Sequence, residues 1–326
     1  MKIFRSSNWD PYWNLAVEDH LLDHLESYGR VLFLWQAEHT VVVGKNQNPW
    51  RECRLDSLRN DRGLLARRVS GGGAVYHDRG NLNFSLLLPR EEYKEEEVYE
   101  LVSTALASAG VSVNRVGNSL FVDDKKVSGS AFCFRGNSAL HHGTVLVSTR
   151  LDRLEKYLKR GDLPVETKAV ASIPAPVTNL AETAPDLTID GVANALIETF
   201  AARYEAIPMA EDARLLDGGE LRALHRKYVQ WDWCFGATPD FKTTLETSFP
   251  WGRVKMDLTV ENGHIAAIEL DSEGLDGADV GHVEGELIEC AFKEGAMARH
   301  IRGAIGRDGN ALLEDIADWL GKLPLS

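Results

Sequence analysis

The sequence predicts an α+β fold with a large first domain and a small second one. Its 326 residues correspond to about two domains at roughly 150 residues each. Short β-branched runs are interspersed with amphipathic helical periods, and the glycines at 71–73 lie between two predicted strands rather than before a helix. The strand pattern restarts after about residue 236. We therefore predict domains at residues 1–238 and 239–326.

The first predicted elements are a helix at 11–28 and three strands. Asp10 and Pro11 suit the N-cap and the first helical turn, and apolar residues recur at helical spacing from Leu15 until Gly29 ends the pattern. Apolar β-branched runs predict strands at 31–35, 40–43 and 64–69.

The same reasoning assigns the remaining elements. We expect further strands at 74–78, 81–88, 111–115, 119–123 and 143–148, and helices at 91–109, 150–160 and 188–204, with a proline-rich loop at 168–178. In the second domain, Asn262-Gly263 predicts a type I′ hairpin turn between strands 252–260 and 264–270. Helices at 282–290 and 310–322 would cover one face of that hairpin sheet.

Composition excludes several classes of protein. The net charge of −13 lacks the general attraction to phosphate backbones that nucleic-acid binders need. No apolar run approaches the roughly 20 residues of a membrane helix, and we expect a cytoplasmic protein. The four cysteines include no CxxC pair, which argues against a zinc site and a disulfide framework.

Two segments have the composition of an anion site. Arg67 and Arg68 precede Ser70 and three glycines, whose backbone N–H groups can approach a carboxylate or phosphate closely. Lys126 leads into the small residues of the segment 127–131, where a lysine can neutralise a phosphate and polarise an acyl carbonyl. Solvated arginines and lysines in turns are the alternative interpretation of both segments.

A pair of histidines forms a third candidate segment. His141 and His142 precede a predicted strand, and no HExxH pattern accompanies them. We expect structural histidines that bond the sheet or the glycine loop. For His77 a structural role and a functional role have equal weight.

Together these segments resemble the lipoate-protein ligase A family over nearly the whole chain. The resemblance rests on NLAVE at 14–18, RRVSGGGAVYHD at 67–78, GNLNFS at 80–85, KVSGSA at 126–131, HHGT at 141–144 and VTNL at 177–180. It implies a biotin/lipoate-ligase-like domain, in which helices flank a mixed β-sheet, and a small α/β C-terminal accessory domain.

The resemblance also implies a two-step reaction. Lipoate or octanoate reacts with Mg-ATP to give acyl-AMP, and the acyl group then passes to a lysine of a lipoyl domain. The acceptors would be lipoyl domains of 2-oxoacid dehydrogenase E2 subunits or the glycine cleavage H protein. The family resemblance further suggests a monomer.

Site residues are assigned by correspondence with the family motifs. Lys126 would be the central catalytic lysine, and the loop at 168–178 would cover the adenylate. Lipoate contacts would come from Arg68, Ser70, Gly71, Gly72, Gly73, Ala74, His77 and His142. ATP or adenylate contacts would come from Tyr76, Asn81, Asn118, Lys126, Ser128, Gly129, Lys168 and Thr178, with Asn118 also the candidate Mg²⁺ ligand.

Three departures from the family pattern leave alternatives open. Ser119 stands where an aspartate is usual, Cys133 replaces a frequent arginine, and the covering loop lacks basic residues at 172–176. These features favour a lipoyl or octanoyl transferase that uses a pre-activated donor, with Cys133 as a candidate nucleophile. A decayed lipoate-binding module and a biotin ligase are weaker alternatives.

The acidic chain suggests a local basic patch for an acidic acceptor domain. Candidates for its rim are Lys45, Arg51, Arg67, Arg68 and Arg79.

Overall fold

The computed structural model describes residues 1–305 and 309–325, which belong to two compact units. Unit 1 comprises Met1–Lys45, Gly63–Glu155 and Ser172–Gln230. Unit 2 comprises Asn46–Arg62, Lys156–Ala171 and the chain from Trp231 onward. The compact units are discontinuous in sequence, and the functional boundary at 238/239 stays a prediction.

Unit 1 is built on a mixed sheet, which has eight strands among the described residues. The spatial order is β12-β1-β2-β6-β10-β9-β8-β7; β1 runs parallel to β2 and β12, and the other neighbours are antiparallel. Its strands are β1 Lys2–Arg5, β2 Val31–Trp35, β6 Asn81–Pro89, β7 Asn114–Val116, β8 Ser119–Val122, β9 Lys125–Arg135, β10 Ser138–Leu146 and β12 Glu211–Asp212.

A smaller sheet in unit 1 carries the glycine segment. In it β3 Thr40–Val43 pairs in parallel with β4 Leu64–Arg67 and antiparallel with β5 Val75–His77. The glycines connect β4 to β5, as expected for a segment between strands.

The helices confirm the α+β class. They are α1 Pro11–Asp23, α2 Leu25–Tyr28, α3 Pro49–Glu52, α4 Leu55–Asn60, α5 Glu95–Ser108, α6 Leu151–Tyr157, α7 Leu180–Thr183, α8 Ile189–Tyr204, α9 Gly219–Val229, α10 Gly277–Leu287, α11 Glu294–Ala304 and α12 Ala311–Leu320.

The main sheet has one apolar face. Helices α5 and α8 pack against each other and contribute to the core that includes Leu82, Phe84 and Leu86 of β6. Because side chains alternate along a strand, Asn81, Asn83 and Ser85 lie on the opposite face, where they are also buried. Helix α1 contacts β6 and β10, and α9 packs against α1.

Several sequence predictions need correction. The predicted helix 11–28 is interrupted at His24, whose φ of −111° and ψ of 20° are not helical. Both His141 and His142 lie inside β10 rather than before it, because the predicted strand starts five residues earlier, at Ser138. Helix α9 was not predicted.

Unit 2 contains an antiparallel sheet of order β11-β13-β14-β15. Its strands are β11 Val165–Thr167, β13 Phe241–Phe249, β14 Gly252–Glu261 and β15 His264–Ser272. The predicted hairpin is confirmed, since Asn262 and Gly263 have φ values of 49° and 75°. Helix α10 begins five residues before its predicted start at 282, and β13 and α11 were not predicted.

Across residues 1–305 and 309–325, no helix combines the length and the apolar character that crossing a bilayer requires.

Candidate active site

Three buried side chains form a hydrogen-bonded chain on the polar face of the main sheet. The hydroxyl of Ser70 lies 2.6 Å from Nε2 of His142, and Nδ1 of His142 lies 3.0 Å from both carboxylate oxygens of Glu18. A carboxylate accepts hydrogen bonds, so it fixes the proton of the neutral ring on Nδ1 and leaves Nε2 to accept from the Ser70 hydroxyl. Glu18 thus orients His142, and His142 orients Ser70.

Sequence reasoning missed Glu18 as a site residue. Glu18 is fully buried and also accepts hydrogen bonds from Ser85 Oγ and, at 3.4 Å, from Trp35 Nε1. It occupies the same stripe of α1 as Leu15 and Leu22, where an unpaired carboxylate would be costly. An acidic residue on an otherwise apolar helix face was the available signal.

Arg68 holds the glycine loop together. Its guanidinium donates to Ser70 Oγ at 3.0 Å and to the carbonyls of Val42, Gly71 and Gly73 at 3.2, 2.6 and 2.8 Å. Burial is the main cause that lowers the pKa of Arg68 to about 10. The guanidinium therefore remains cationic at neutral pH. A direct contact between Arg68 and a ligand stays a prediction.

The loop conformation depends on Gly72. Its φ of +85° is a value that residues with a side chain rarely adopt. This conformation lets the carbonyls of both neighbouring glycines point at Arg68.

Lys126 provides a partly buried cation at the start of β9. Among the ion pairs of the described residues, none involves Lys126. Burial, followed by the positive charge of Arg68, lowers the pKa of Lys126. A Cβ at Gly129 would lie 2.6 Å from Nζ of Lys126, so the glycine leaves space for the ammonium group. An anion bound beside Lys126 would compensate the positive charges of Lys126 and Arg68.

The backbone of Lys126 fixes one end of the predicted covering loop. Its N–H donates to the carbonyl of Pro176 at 2.8 Å, and its carbonyl accepts from the N–H of Thr178 at 3.1 Å. At the other end of the 172–178 segment, Ser172 Oγ accepts from the N–H of Ala74 at 3.0 Å. This part of the loop therefore joins the lysine strand to the glycine loop.

Two predicted residues, His77 and Asn81, are buried near the hydrogen-bonded side chains of Ser70, His142 and Glu18. His77 is buried beside Trp35, and burial, with the charges of Arg68 and His142, lowers its pKa to about 3. Asn81 is fully buried and donates to Asn83 Oδ1 at 3.1 Å.

The other predicted contacts are more scattered. Tyr76 precedes His77 on β5, points to the opposite side of the strand and packs on His39, so the structure does not bring its side chain to His77. Ser128 is buried, and its hydroxyl has no hydrogen-bond partner among the described residues. Lys168 is exposed and belongs to unit 2.

Among the described residues, no group of three His, Cys, Asp or Glu side chains surrounds Lys126. Asn118 is exposed in the turn before β8, where its carbonyl accepts from the N–H of Ser130 at 2.9 Å. Mg²⁺ sites usually include one or two carboxylates. In the described part of the chain, such a group is formed by His20, His24 and Glu220. Asn118 as a metal ligand stays a prediction.

Cys133 lies on the same face of β9 as Ala131, which is paired with His142. Burial raises the pKa of its thiol despite the nearby charges of Arg135 and Lys45. A raised pKa reduces the thiolate fraction that a nucleophilic cysteine needs.

Two of the basic residues predicted to line a surface patch are buried, so the prediction is wrong for them. Arg67 is fully buried and donates to the carbonyls of Gly44 and Lys45, and Arg68 is 6% exposed. Neither side chain can meet an acceptor domain at the surface.

Comparison with protein families and relatives places these features in a known setting. A family model described as "Lipoyl protein ligase A/B catalytic domain" matches residues 10–201, and one described as "Bacterial lipoate protein ligase C-terminus" matches residues 238–320. The curated lipoate-protein ligase A of Psychrobacter cryohalolentis is 36% identical over 331 residues, which cover 98% of each chain.

Solved structures give the same picture. The P. falciparum protein LipL1, crystallised in complex with lipoate, is 27% identical, covers 99% of both chains and has a TM-score of 0.65. A bipartite lipoate protein ligase from Thermoplasma acidophilum, described with its E2 lipoyl domain, is 24% identical with a TM-score of 0.59. That match covers 73% of this chain and 97% of the other, and it supports the fold.

Proposed function

The chain belongs to the lipoyl protein ligase A/B family and is a lipoate-protein ligase, and we propose that it activates lipoate or octanoate with ATP. In the first step a carboxylate oxygen of the acid attacks the α-phosphorus of ATP, and pyrophosphate leaves. In the second step the ε-amine of an acceptor lysine attacks the acyl carbonyl, AMP leaves, and the amine loses a proton.

The observation that carries this proposal is the partly buried Lys126 beside the glycine loop, which Arg68 holds by hydrogen bonds. A carboxylate and a phosphate repel each other, and a cation between them lowers that repulsion. The described ion pairs leave the ammonium group of Lys126 without a carboxylate partner, so its charge is available for this role. Because negative charge grows on the oxygens in both transition states, Lys126 would assist both steps.

The glycine loop would receive the carboxyl end of the substrate. Arg68 holds the carbonyls of Gly71 and Gly73, and N–H groups of the glycine segment would point at the carboxyl group of the ligand. Ser70, held by His142 and Glu18, would be a polar contact of fixed direction. We propose the same region for Gly71, Gly72, Gly73, Ala74, His77 and His142, as the sequence predicted.

The loop at 168–178 would cover the adenylate. Support comes from its hydrogen bonds to Lys126 and Ala74, which join residues 172–178 to β9 and to the glycine loop. Excluding water there would protect a mixed anhydride from hydrolysis. Lys168, Thr178, Tyr76, Asn81, Asn118, Ser128 and Gly129 remain proposed contacts of ATP or the adenylate.

For the acceptor we propose a lipoyl domain of an E2 subunit or the glycine cleavage H protein. Support comes from the family membership, since lipoate ligases act on lipoyl domains. A monomeric state and a cytoplasmic location remain predictions. The raised pKa of the Cys133 thiol argues against the version of the transferase alternative in which Cys133 is the nucleophile.

The test is ATP–pyrophosphate exchange with and without lipoate in the presence of Mg²⁺. Lys126→Ala should reduce lipoate-dependent exchange by about 10²–10³-fold, the usual effect of removing an electrostatic stabiliser of a transition state. The matched control is Lys125→Ala, since Lys125 is the exposed neighbour on the same strand. Cys133→Ala should retain exchange.

Two results would contradict the proposal. Equal exchange by Lys126→Ala and the wild type would remove Lys126 from the chemistry. Absence of exchange in the wild type, with intact transfer from supplied lipoyl-AMP, would identify a transferase instead.

A further inference from the structure

We propose that His20, His24 and Glu220 form a binding site for a divalent cation of the zinc class, where α1 meets α9. The site is separate from the predicted lipoate and ATP contacts. His20 lies in the last turn of α1, His24 follows that helix, and Glu220 lies in the first turn of α9.

The geometry suits a small cation. Nε2 of His24 lies 3.3 Å from one carboxylate oxygen of Glu220, and Nδ1 of His20 lies 3.9 Å from the other. One ligand atom from each residue lies within 4.8 Å of the other two. Zinc bonds of about 2.0–2.1 Å in tetrahedral geometry place ligand atoms about 3.3–3.5 Å apart. Small side-chain shifts would therefore close the site, and water could supply the fourth ligand.

The tautomer of His24 is already set for metal binding. Its Nδ1 lies 3.0 Å from the carbonyl of His20, which can only accept, so Nδ1 carries a proton. In the neutral ring Nε2 then has a lone pair, and it faces the negative carboxylate of Glu220. A cation between these two groups would bind both the ring nitrogen and the carboxylate. A backbone carbonyl on the far ring nitrogen is also the usual support of a metal-binding histidine.

His20 offers the second nitrogen. Its Nδ1 is buried and has no hydrogen-bond partner among the described residues, while its Nε2 lies 3.5 Å from the hydroxyl of Tyr28. If Nε2 donates to that hydroxyl, Nδ1 carries the lone pair that a metal needs.

The consequence would be a cross-link between two helices that support the active site. Glu18, which orients His142, lies two residues before His20 on α1. Polar contacts between α1 or its N-cap and α9 include those of His225 with Asp10 and of Lys227 with Asp19. A bound metal would add a connection at the C-terminal end of α1.

The experiment uses the full chain without a polyhistidine tag, titrated with zinc chloride by calorimetry and with cobalt chloride by visible absorption. We expect one metal ion per chain and a cobalt spectrum of tetrahedral type. Glu220→Gln and His24→Gln should each reduce affinity by more than the 10–100-fold that loss of a supporting partner costs. His225→Gln is the matched control, since it changes another histidine that joins the same helices, and it should bind as the wild type does.

Thermal unfolding gives a second readout that does not require activity. Zinc should raise the Tm of the wild type and of His225→Gln, and leave that of Glu220→Gln unchanged. Glu220 is 59% exposed at its side chain, so this variant should fold normally. Absence of saturable zinc binding, or equal binding by the wild type and Glu220→Gln, would overturn the proposal.

Discussion

The two faces of the main sheet in unit 1 are both buried but are built for different purposes. On one face Phe84, Leu86 and His141 pack among apolar and aromatic side chains. On the other face Ser85 and His142, the next residue of each strand, bond to the carboxylate of Glu18. The comparison shows that burial by itself does not identify a core, since a buried polar face can be a site.

The two histidines make the comparison within one dipeptide. His141 lies between the rings of Phe84, Tyr93 and Phe132, and burial lowers its pKa to about 3. His142 instead joins the Glu18 carboxylate to Ser70. Strand alternation alone separates a packing residue from a residue of the candidate site.

The largest expected effect on stability comes from a substitution on the apolar face. Phe84→Ala should lower the free energy of unfolding by about 3–5 kcal/mol, because it leaves a cavity among α5, α8 and the sheet. The folded fraction should keep its rate of ATP–pyrophosphate exchange. Urea unfolding and exchange assays measure the two quantities.

Ser85→Ala is the matched variant on the polar face. It removes one hydrogen bond to the Glu18 carboxylate and should cost about 1.5–3 kcal/mol. If Ser85→Ala destabilised the protein more than Phe84→Ala did, the assignment of the two faces would fail.

The next prediction tests the packing role of His141 by the dependence of stability on pH. The folded pKa of His141 is about 3, below its unfolded value of 6.5, so its contribution is complete above pH 6.5 and declines as the pH falls toward 3. At pH 5 the loss should reach about 2 kcal/mol, since the unfolded ring binds a proton that the folded ring excludes. Urea unfolding at pH 7.5 and pH 5 measures it.

His141→Phe supplies the comparison, because it keeps an aromatic ring and removes the titrating group. Its stability should fall less than that of the wild type between the same two pH values. An identical decrease in both proteins would mean that His141 does not titrate as its surroundings indicate.

The smallest effect concerns the coupling within the polar face. In a double-mutant cycle of Glu18→Gln and Ser70→Ala, we expect a coupling energy of about 1 kcal/mol in transition-state stabilisation, since both act through His142. Values of kcat/KM for lipoate measure it. Strictly additive losses would show that Glu18 does not orient Ser70 through the histidine.

Much of the site was predictable from local sequence. Side-chain chemistry and glycine content marked the loop at 70–73 and Lys126, and the residues at 81–88 were predicted to form a strand. These features depend on residues that are neighbours along the chain. Helix α9 was missed, although its apolar residues Leu221 and Tyr228 are buried in the structure.

Pairing between distant segments was not predictable in this way. Arg68 was expected to contact the ligand, yet its donors bond carbonyls of β3 and of its own loop. Glu18 was passed over, because a carboxylate on α1 gains meaning only when β10 places His142 beside it.

The sequence by itself determined the α+β class, the strand-borne glycine loop, the hairpin at Asn262-Gly263 and the lysine at position 126. The tertiary structure decided which of two adjacent histidines joins the site, which arginines are buried, and that His20, His24 and Glu220 converge. Local propensity depends on residues a few positions apart, whereas a hydrogen bond or a shared cation depends on segments that only the folded backbone brings within 3 to 4 Å.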